Sequence, residues 1–343
     1  MLMHVRAAAV AAAVGGLALV SSAATAATFV PSQFVIFGDS FVDAGSVNRF
    51  TGGALAPASQ GFWKGRWSDG PTWVDHLGYA NFGKTTRAFN AGVGPGQLPP
   101  PFQLGATNFA IGGARASGDD VQPGGTIPGL PTQLAFYQGY LALTGQSVDP
   151  NALYIINFGN NDVNFIQSLA GNPMAQAFVA DAYVTNMTNA ALALVGSGAR
   201  NILIAGVPNP LEPEGQFLQS LLNSSLAAQQ PLFSLVGANV QQFDYFAFFT
   251  ALQVDPTQFG LPATLDFTTP CLLAEVPGPD VDCRNYLSFD GIHVTAGVQR
   301  AISIQVANQL GIAAVPEAAT WAMMIAGFGM VGSALRRRRA VPA

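Results

Sequence analysis

A serine attacks a carbonyl carbon only when a base takes its proton, a third group fixes the base's tautomer, and donors await the oxyanion. The stretch FVIFGDSFVDAG, Phe34 to Gly45, runs from apolar residues into Gly38-Asp39-Ser40 and then turns polar at once. Ser40 therefore stands where a nucleophile could stand, although a loop serine at the end of a buried strand would look the same. The chain has three histidines to serve as base. His4 lies in an N-terminal run that export would remove. His76, in PTWVDHLGYA, falls among apolar residues in a helix-compatible stretch and reads as a structural histidine with its hydrogen bonds satisfied. His293, in NYLSFDGIHVTAG, comes three residues after Asp290. On a turn, that spacing puts both side chains on one face, so the carboxylate can accept the Nδ1 proton and leave Nε2 basic. Taken alone, Asp290 serves equally well as a cap for the helix expected in TAGVQRAISIQVANQL.

Two strand ends offer oxyanion donors. NFAIGGAR presents the backbone N–H of Gly113 at a strand-to-loop turn, and NFGNND presents the side-chain amide of Asn161, with Gly159 permitting close approach. Each is ordinary turn chemistry when met singly; their joint occurrence at the ends of strands is not.

The elements that must position these groups are legible as alternating patterns. FVIFGD, TNFAIGG, ALYIINFGN and NILIAGVPNP are short apolar runs with few charges, closed by Gly, Asn or Pro, as strands buried on both faces are. A fifth strand is expected within FDYFAFF, Phe243 to Phe249. AQAFVADAYVTNMTNAALALVGSGA predicts a helix, with Phe178, Val179, Ala182 and Tyr183 at helical spacing and a stop at Gly196. Strands alternating with helices imply βαβ units and a parallel sheet between helical layers, with ligands beyond the carboxyl ends of the strands. GVGPGQLPPPFQLG and VQPGGTIPGLP read as surface loops over that end. The GxG in the first is no dinucleotide fingerprint, because no strand precedes it and no helix follows.

In chain order, GDS (Gly38 to Ser40), NFAIGGA, GNND (Gly159 to Asp162) and DGIH (Asp290 to His293) resemble the blocks of the SGNH, or GDSL, hydrolase family. FVDAG, GRWSDGPTWVDHLG, GARNILIAGVPN and DPTQFG extend the resemblance over the body from Phe34 to about Leu310. It implies an α/β fold: a three-layer α/β/α sandwich with a central parallel sheet of about five strands, flavodoxin-like in arrangement. It also implies that Ser40 is the nucleophile, His293 the base and Asp290 its orienter. The N–H groups of Ser40 and Gly113 and the Asn161 side chain would form the oxyanion hole, with Gly112 the alternative donor if the glycine block is offset by one. Val294 stands where the family has a proline, and Ser46 where asparagine is common. No GxSxG elbow occurs, and HExxH and Cys/His clusters are absent, so neither a metal nor a cofactor is expected.

The ends of the chain are stereotyped. Residues 1–26 carry Arg6, an apolar run and Ala24-Thr25-Ala26, the pattern of a secretory signal peptide. Residues 315–343 contain Val315-Pro316-Glu317, a short apolar segment and Arg336 to Arg339. They resemble the PEP-CTERM sorting signal of Gram-negative bacteria, which implies an exosortase-type partner and transient membrane anchoring; Ala318 replaces the motif's second proline. Between them, residues 27–314 form the expected hydrolase domain. Setting aside Arg6, the tail arginines and Glu317 leaves nine basic and eighteen acidic side chains, a balance unsuited to nucleic acid. Cys271 and Cys283 are the only cysteines, and in an exported chain an even count favours a disulfide. The expectation is an exported esterase acting on lipids or acylated polysaccharide, the alternative being a non-catalytic surface or matrix binding protein that keeps the fold.

Overall fold

Uncharged runs of β-branched and aromatic residues persist as strands only where both faces are covered. Such runs form the centre of the sheet in the computed structural model of the chain, which describes residues 29–90, 106–122, 125–208 and 212–313. The first strand, β1 (Phe34–Gly38), leads through α1 (Ser46–Phe50) and α2 (Trp73–Phe82) to the short strands β2 (Arg87–Ala88) and β3 (Ala106–Asn108). A small hairpin, β4 (Asp120–Gln122) and β5 (Gly125–Ile127), precedes α3 (Leu130–Thr144) and β6 (Leu153–Asn157). Then come α4 (Asn160–Ser168), α5 (Pro173–Gly196), β7 (Asn201–Ala205), α6 (Pro213–Leu235) and β8 (Asn239–Phe243). The rest of the described chain holds α7 (Tyr245–Val254), α8 (Cys271–Ala274) and α9 (Ala296–Leu310).

Among the described residues the main sheet is six-stranded, in the order β2-β3-β1-β6-β7-β8, with every pair parallel. After β1 the chain builds one flank and then crosses to the other, so β1 lies at the switch point where open sheets bind ligands. The register aligns Gly38 with Asn157, Asn157 with Ala205, and Ala205 with Phe243, which brings the strand exits to one level. Alternation along the strands sorts the core into two layers. Val35, Phe37, Tyr154, Ile156, Ile202 and Ile204 pack with α3, α4, α5 and α6. Phe34, Ile36, Leu153, Ile155, Leu203 and Ala205 pack with α2, α7 and α9. This is the three-layer α/β/α sandwich implied by the sequence.

Three expectations need correction. FDYFAFF is not a strand: β8 ends at Phe243, and Asp244 starts α7 by accepting the Ala247 N–H at 3.0 Å. Tyr245, Phe248, Phe249 and Leu252 are buried along one helical face, a spacing that the shorter run could not display. Phe178 is 74% exposed, and the buried stripe of α5 runs instead through Val179, Tyr183, Met187, Ala190 and Leu194. VQPGGTIPGLP is partly a hairpin, whose Ile127 lies against Gly113. The expected signal peptide, the stretch Gly92 to Gly105 read as a surface loop and the C-terminal sorting segment fall outside the described residues. Among those described, no helix is long and apolar enough to cross a membrane.

Cys271 and Cys283 form a disulfide, and both are buried. They share a small core with Ala56, Phe62 and Phe289, with Trp67 packed against it. The Cys271 and Leu272 N–H groups donate to the carbonyls of Ser288 and Phe289, so the bridged loop holds the segment leading to Asp290. By the loop-entropy model such a bridge contributes about 3 kcal/mol. The Cys271→Ala/Cys283→Ala variant is expected to melt roughly 5–10 °C lower with unchanged far-ultraviolet circular dichroism. Equal melting and equal turnover would show that the bridge supports nothing nearby.

Candidate active site

At the end of β1 Gly38 still pairs with Asn157 of β6, but the β3 ladder stops at Ile36 and Asn108, so that side of the exit needs another partner. Gln133 of α3 is that partner: its Oε1 accepts the Gly38 N–H and its Nε2 donates to the Gly38 carbonyl, both at 2.9 Å. Gly38 has no room for a side chain, since a Cβ would lie 2.8 Å from the Asn157 carbonyl oxygen. Past this pinch the chain turns at Asp39, whose Oδ1 accepts the Phe41 N–H, and Ser40 sits on the turn, nearly buried.

The DGIH segment comes to Ser40 from 253 positions away. His293 Nε2 lies 2.7 Å from Ser40 Oγ, and His293 Nδ1 lies 2.8 Å from Asp290 Oδ2. Asp290 Oδ1 accepts the N–H groups of Ile292 and His293, and Thr295, not Asp290, is the N-cap of α9. Burial pushes the Asp290 carboxyl up, but its bonds with His293 and these N–H groups outweigh that and hold it below the usual carboxylate range. An ionised Asp290 keeps the imidazole proton on Nδ1, so Nε2 is left to accept the Ser40 hydroxyl proton. His76 is elsewhere, on α2; burial lowers it to about 4, and its Nε2 has no hydrogen-bond partner among the described residues. It is therefore neutral but not satisfied, contrary to the sequence expectation.

The glycine block settles which N–H is available. Gly112 donates to Asp43 Oδ2 at 3.0 Å, and its N–H is thereby committed. Gly113, at φ +83°, has no acceptor for its N–H among the described residues, and neither has Ser40. Asn161 Nδ2 donates to the Ala114 carbonyl at 3.0 Å, which ties the amide to the same loop while using one of its two protons. Among the described residues, no group of three or more His, Cys, Asp or Glu side chains is placed to hold a metal ion.

With this geometry in view, comparison with known proteins is direct. The profile of the GDSL-like Lipase/Acylhydrolase family matches residues 34–306, from the start of β1 into α9. The chain belongs to the GDSL family. A second profile, the PEP-CTERM protein-sorting motif, matches residues 314–339. Esterase EstA of Pseudomonas aeruginosa is 30% identical, over 84% of this chain and 48% of EstA. A Pseudomonas putida protein described as "Uncharacterized protein in trpE-trpG intergenic region" is 29% identical, over 84% of this chain and 50% of its own length. The chain thus spans about half the length of the curated relatives it matches. Among solved structures, the acetylxylan esterase Axe2 of Geobacillus stearothermophilus aligns with 84% of this chain and 99% of its own, at 13% identity and a TM-score of 0.42.

In this GDSL chain, sequence reasoning overlooked Asp43, Asp162, Gln133 and Trp67. Asp43 Oδ1 accepts the Gly45 and Ser46 N–H groups, and Oδ2 accepts those of Val47 and Gly112. Asp162 accepts the Ala116 and Ser117 N–H groups. The D-x-G spacing at Asp43 signals a local turn; its reach to Gly112 has no local signal.

Two outcomes follow from these carboxylates. Asp43→Asn turns one acceptor into a donor facing N–H groups, so the glycine loop loses its tether. Ester turnover is expected to fall roughly tenfold to a hundredfold in kcat with KM little changed, as when an oxyanion donor is misplaced. An unchanged kcat would show the tether to be dispensable. Asp39 is fully buried with Oδ2 unpartnered among the described residues, and burial, opposed by the Phe41 N–H and aided by Asp162, pushes it up to about 7. Its contribution to stability is complete below the unfolded value of about 3.9 and is lost as pH rises through about 7. Denaturant titrations should find Asp39→Asn increasingly stable relative to the parent from pH 4 to pH 8, and a pH-independent difference would contradict this.

Proposed function

We propose that the chain is an exported serine esterase that hydrolyses carboxylic esters through an acyl-enzyme. The observation that carries this is the unbroken relay from Ser40 Oγ to His293 at 2.7 Å and from His293 to Asp290 at 2.8 Å. The N–H groups of Ser40 and Gly113, which have no acceptor among the described residues, support the same reading. In this mechanism Ser40 Oγ forms a bond to the ester carbonyl carbon while His293 Nε2 takes its proton. Negative charge collects on the former carbonyl oxygen, facing the Ser40 and Gly113 N–H groups and the Asn161 amide. Collapse breaks the carbon–oxygen bond to the alcohol, which leaves with the proton from His293. Water then enters by the reverse path, giving its proton to His293 as it attacks, and the acid is released; an alcohol in place of water would make the same site a transferase.

The family membership and the likeness to Esterase EstA favour ester hydrolysis over a binding role. The PEP-CTERM match favours export and recognition by an exosortase-type enzyme, with the hydrolase domain at residues 27–314 between a signal peptide and the sorting segment. An exported location favours lipids or acylated polysaccharide as substrates. Ser40→Ala is expected to cut kcat on p-nitrophenyl acetate by roughly four to six orders of magnitude, the scale of losing a triad nucleophile. Rates across longer acyl chains then separate a deacetylase from a lipase. A parent no faster than the alanine variant would overturn the esterase reading in favour of a binding protein.

A further inference from the structure

Trp67 is an aromatic residue in tilted contact with the imidazole. Its ring centroid lies 5.3 Å from that of His293, with the planes inclined by 34°. The other edge of the indole presses on the glycine loop, where a Cβ at Gly112 would lie 2.6 Å from Trp67 Nε1. Trp67 thus touches both the base and the loop that presents the Gly113 N–H. Its own segment is fixed at both ends. Arg66 before it pairs with buried Asp75 of α2 and donates to the Thr86 carbonyl. Ser68 and Asp69 after it bond to the Val294 carbonyl and the Ala296 N–H, the backbone that follows His293. Phe62 meets the indole edge-on and also meets Phe289, which connects it to the disulfide core.

The indole N–H is buried with no acceptor among the described residues. An unpaired buried donor is unfavourable, and phenylalanine would fill much of the space without one. The polar end of the ring therefore contributes nothing to stability, and the contact that remains is its face.

We infer that Trp67 is a positioning residue: its indole face fixes the plane of the His293 imidazole and stabilises the imidazolium formed when Ser40 gives up its proton. This rests on His293 being the general base. A cation within about 6 Å of an indole centroid gains enough to shift an imidazole by about half to one pH unit. The charged groups on the segments packed around the imidazole are Asp290 on its own loop, Arg66 and Asp69 beside Trp67, and Asp39 and Asp43 on the nucleophile loop. All are left in place when Trp67 is replaced.

The test compares Trp67→Leu and Trp67→Phe by thermal melting, by pH–rate profiles on p-nitrophenyl acetate, and by nuclear magnetic resonance titration of the histidine ring protons. The chain has only three histidines, so the His293 signal is identified by its loss in His293→Asn. In Trp67→Leu the His293 titration and the acidic limb of kcat/KM should both move down by about half to one pH unit. Turnover should fall roughly tenfold in kcat while KM stays within about threefold. Trp67→Phe should keep both midpoints and melt no lower than the parent by more than a few degrees. A limb that stays put or moves up in Trp67→Leu would overturn the inference, because water entering a loosened site solvates the imidazolium and raises its midpoint. So would a phenylalanine variant that behaves as leucine does. Should Trp67→Leu melt below assay temperature, Trp67→Met carries the same test. The ring titration needs no turnover, so it decides the effect of Trp67 even if Ser40→Ala overturns the esterase reading.

Discussion

Backbone N–H groups buried without acceptors are costly, and the loops at the carboxyl end of this sheet are buried almost throughout. Three carboxylates absorb them. Asp39 accepts from Phe41; Asp43 accepts from Gly45, Ser46, Val47 and Gly112; Asp162 accepts from Ala116 and Ser117. Among the described residues the N–H groups of Ser40 and Gly113 are left over. A donor that remains unpaired beside a reactive oxygen is what an oxyanion requires. The candidate hole is thus defined as much by which N–H groups the carboxylates consume as by which they omit.

The candidate acid and base, Asp290 and His293, arrive by a separate route, and their support is of a different kind. Nothing in α9 itself orients His293; the ring is held by Asp290 on one nitrogen and by backbone ties from a segment far away in sequence. Phe289 donates its N–H to the His293 carbonyl at 2.7 Å, and its own carbonyl accepts from Leu272 in the disulfide loop. The bridged core, the aromatic pair Phe62 and Phe289, and the GRW segment form a continuous support under the imidazole. The Ser40 side depends on hydrogen bonds to charge, the His293 side on Asp290 together with the packing of the disulfide core. A relay with a 2.7 Å contact at their junction needs both sides to be stiff.

Much of this was legible in the sequence where chemistry is local. The strands β1, β6 and β7 have apolar runs closed by Gly or Asn, so the fold class could be read directly, whereas DGIH allowed an Asp290–His293 pair that only the family resemblance preferred to a helix cap. FDYFAFF misled because six apolar residues around one Asp fit a strand and a helix alike; only the cap at Asp244 and Leu252 beyond the run decide for the helix. Gln133 carried no signal at all, since a side-chain amide standing in for a departed strand depends on a contact 95 positions away. Only family resemblance places Gly113 ahead of Gly112, for the same reason: their difference lies in the Asp43 carboxylate, set by tertiary packing and not by either glycine. His76 looked satisfied because apolar neighbours suggest a core, yet burial alone supplies no partner.

Concentrating carboxylates around a candidate oxyanion site raises an electrostatic difficulty. Negative charge on Asp43 and Asp162 opposes negative charge on a nearby tetrahedral intermediate, and low polarity lengthens the reach of that repulsion. Two features reduce it. The N–H groups that Asp43 and Asp162 accept are oriented dipoles, whose positive ends face the carboxylates and offset part of their field. Asp39, the nearest to Ser40 in sequence and the poorest in donors, is also the one whose burial carries it to about 7. Below that pH it is largely neutral and adds no charge to the turn. Burial pushes Asp43 and Asp162 up as well, against the backbone N–H groups they accept, so each of the three acids leans towards its neutral form. The same buried acids can therefore order the loops without making the site hostile to an anion.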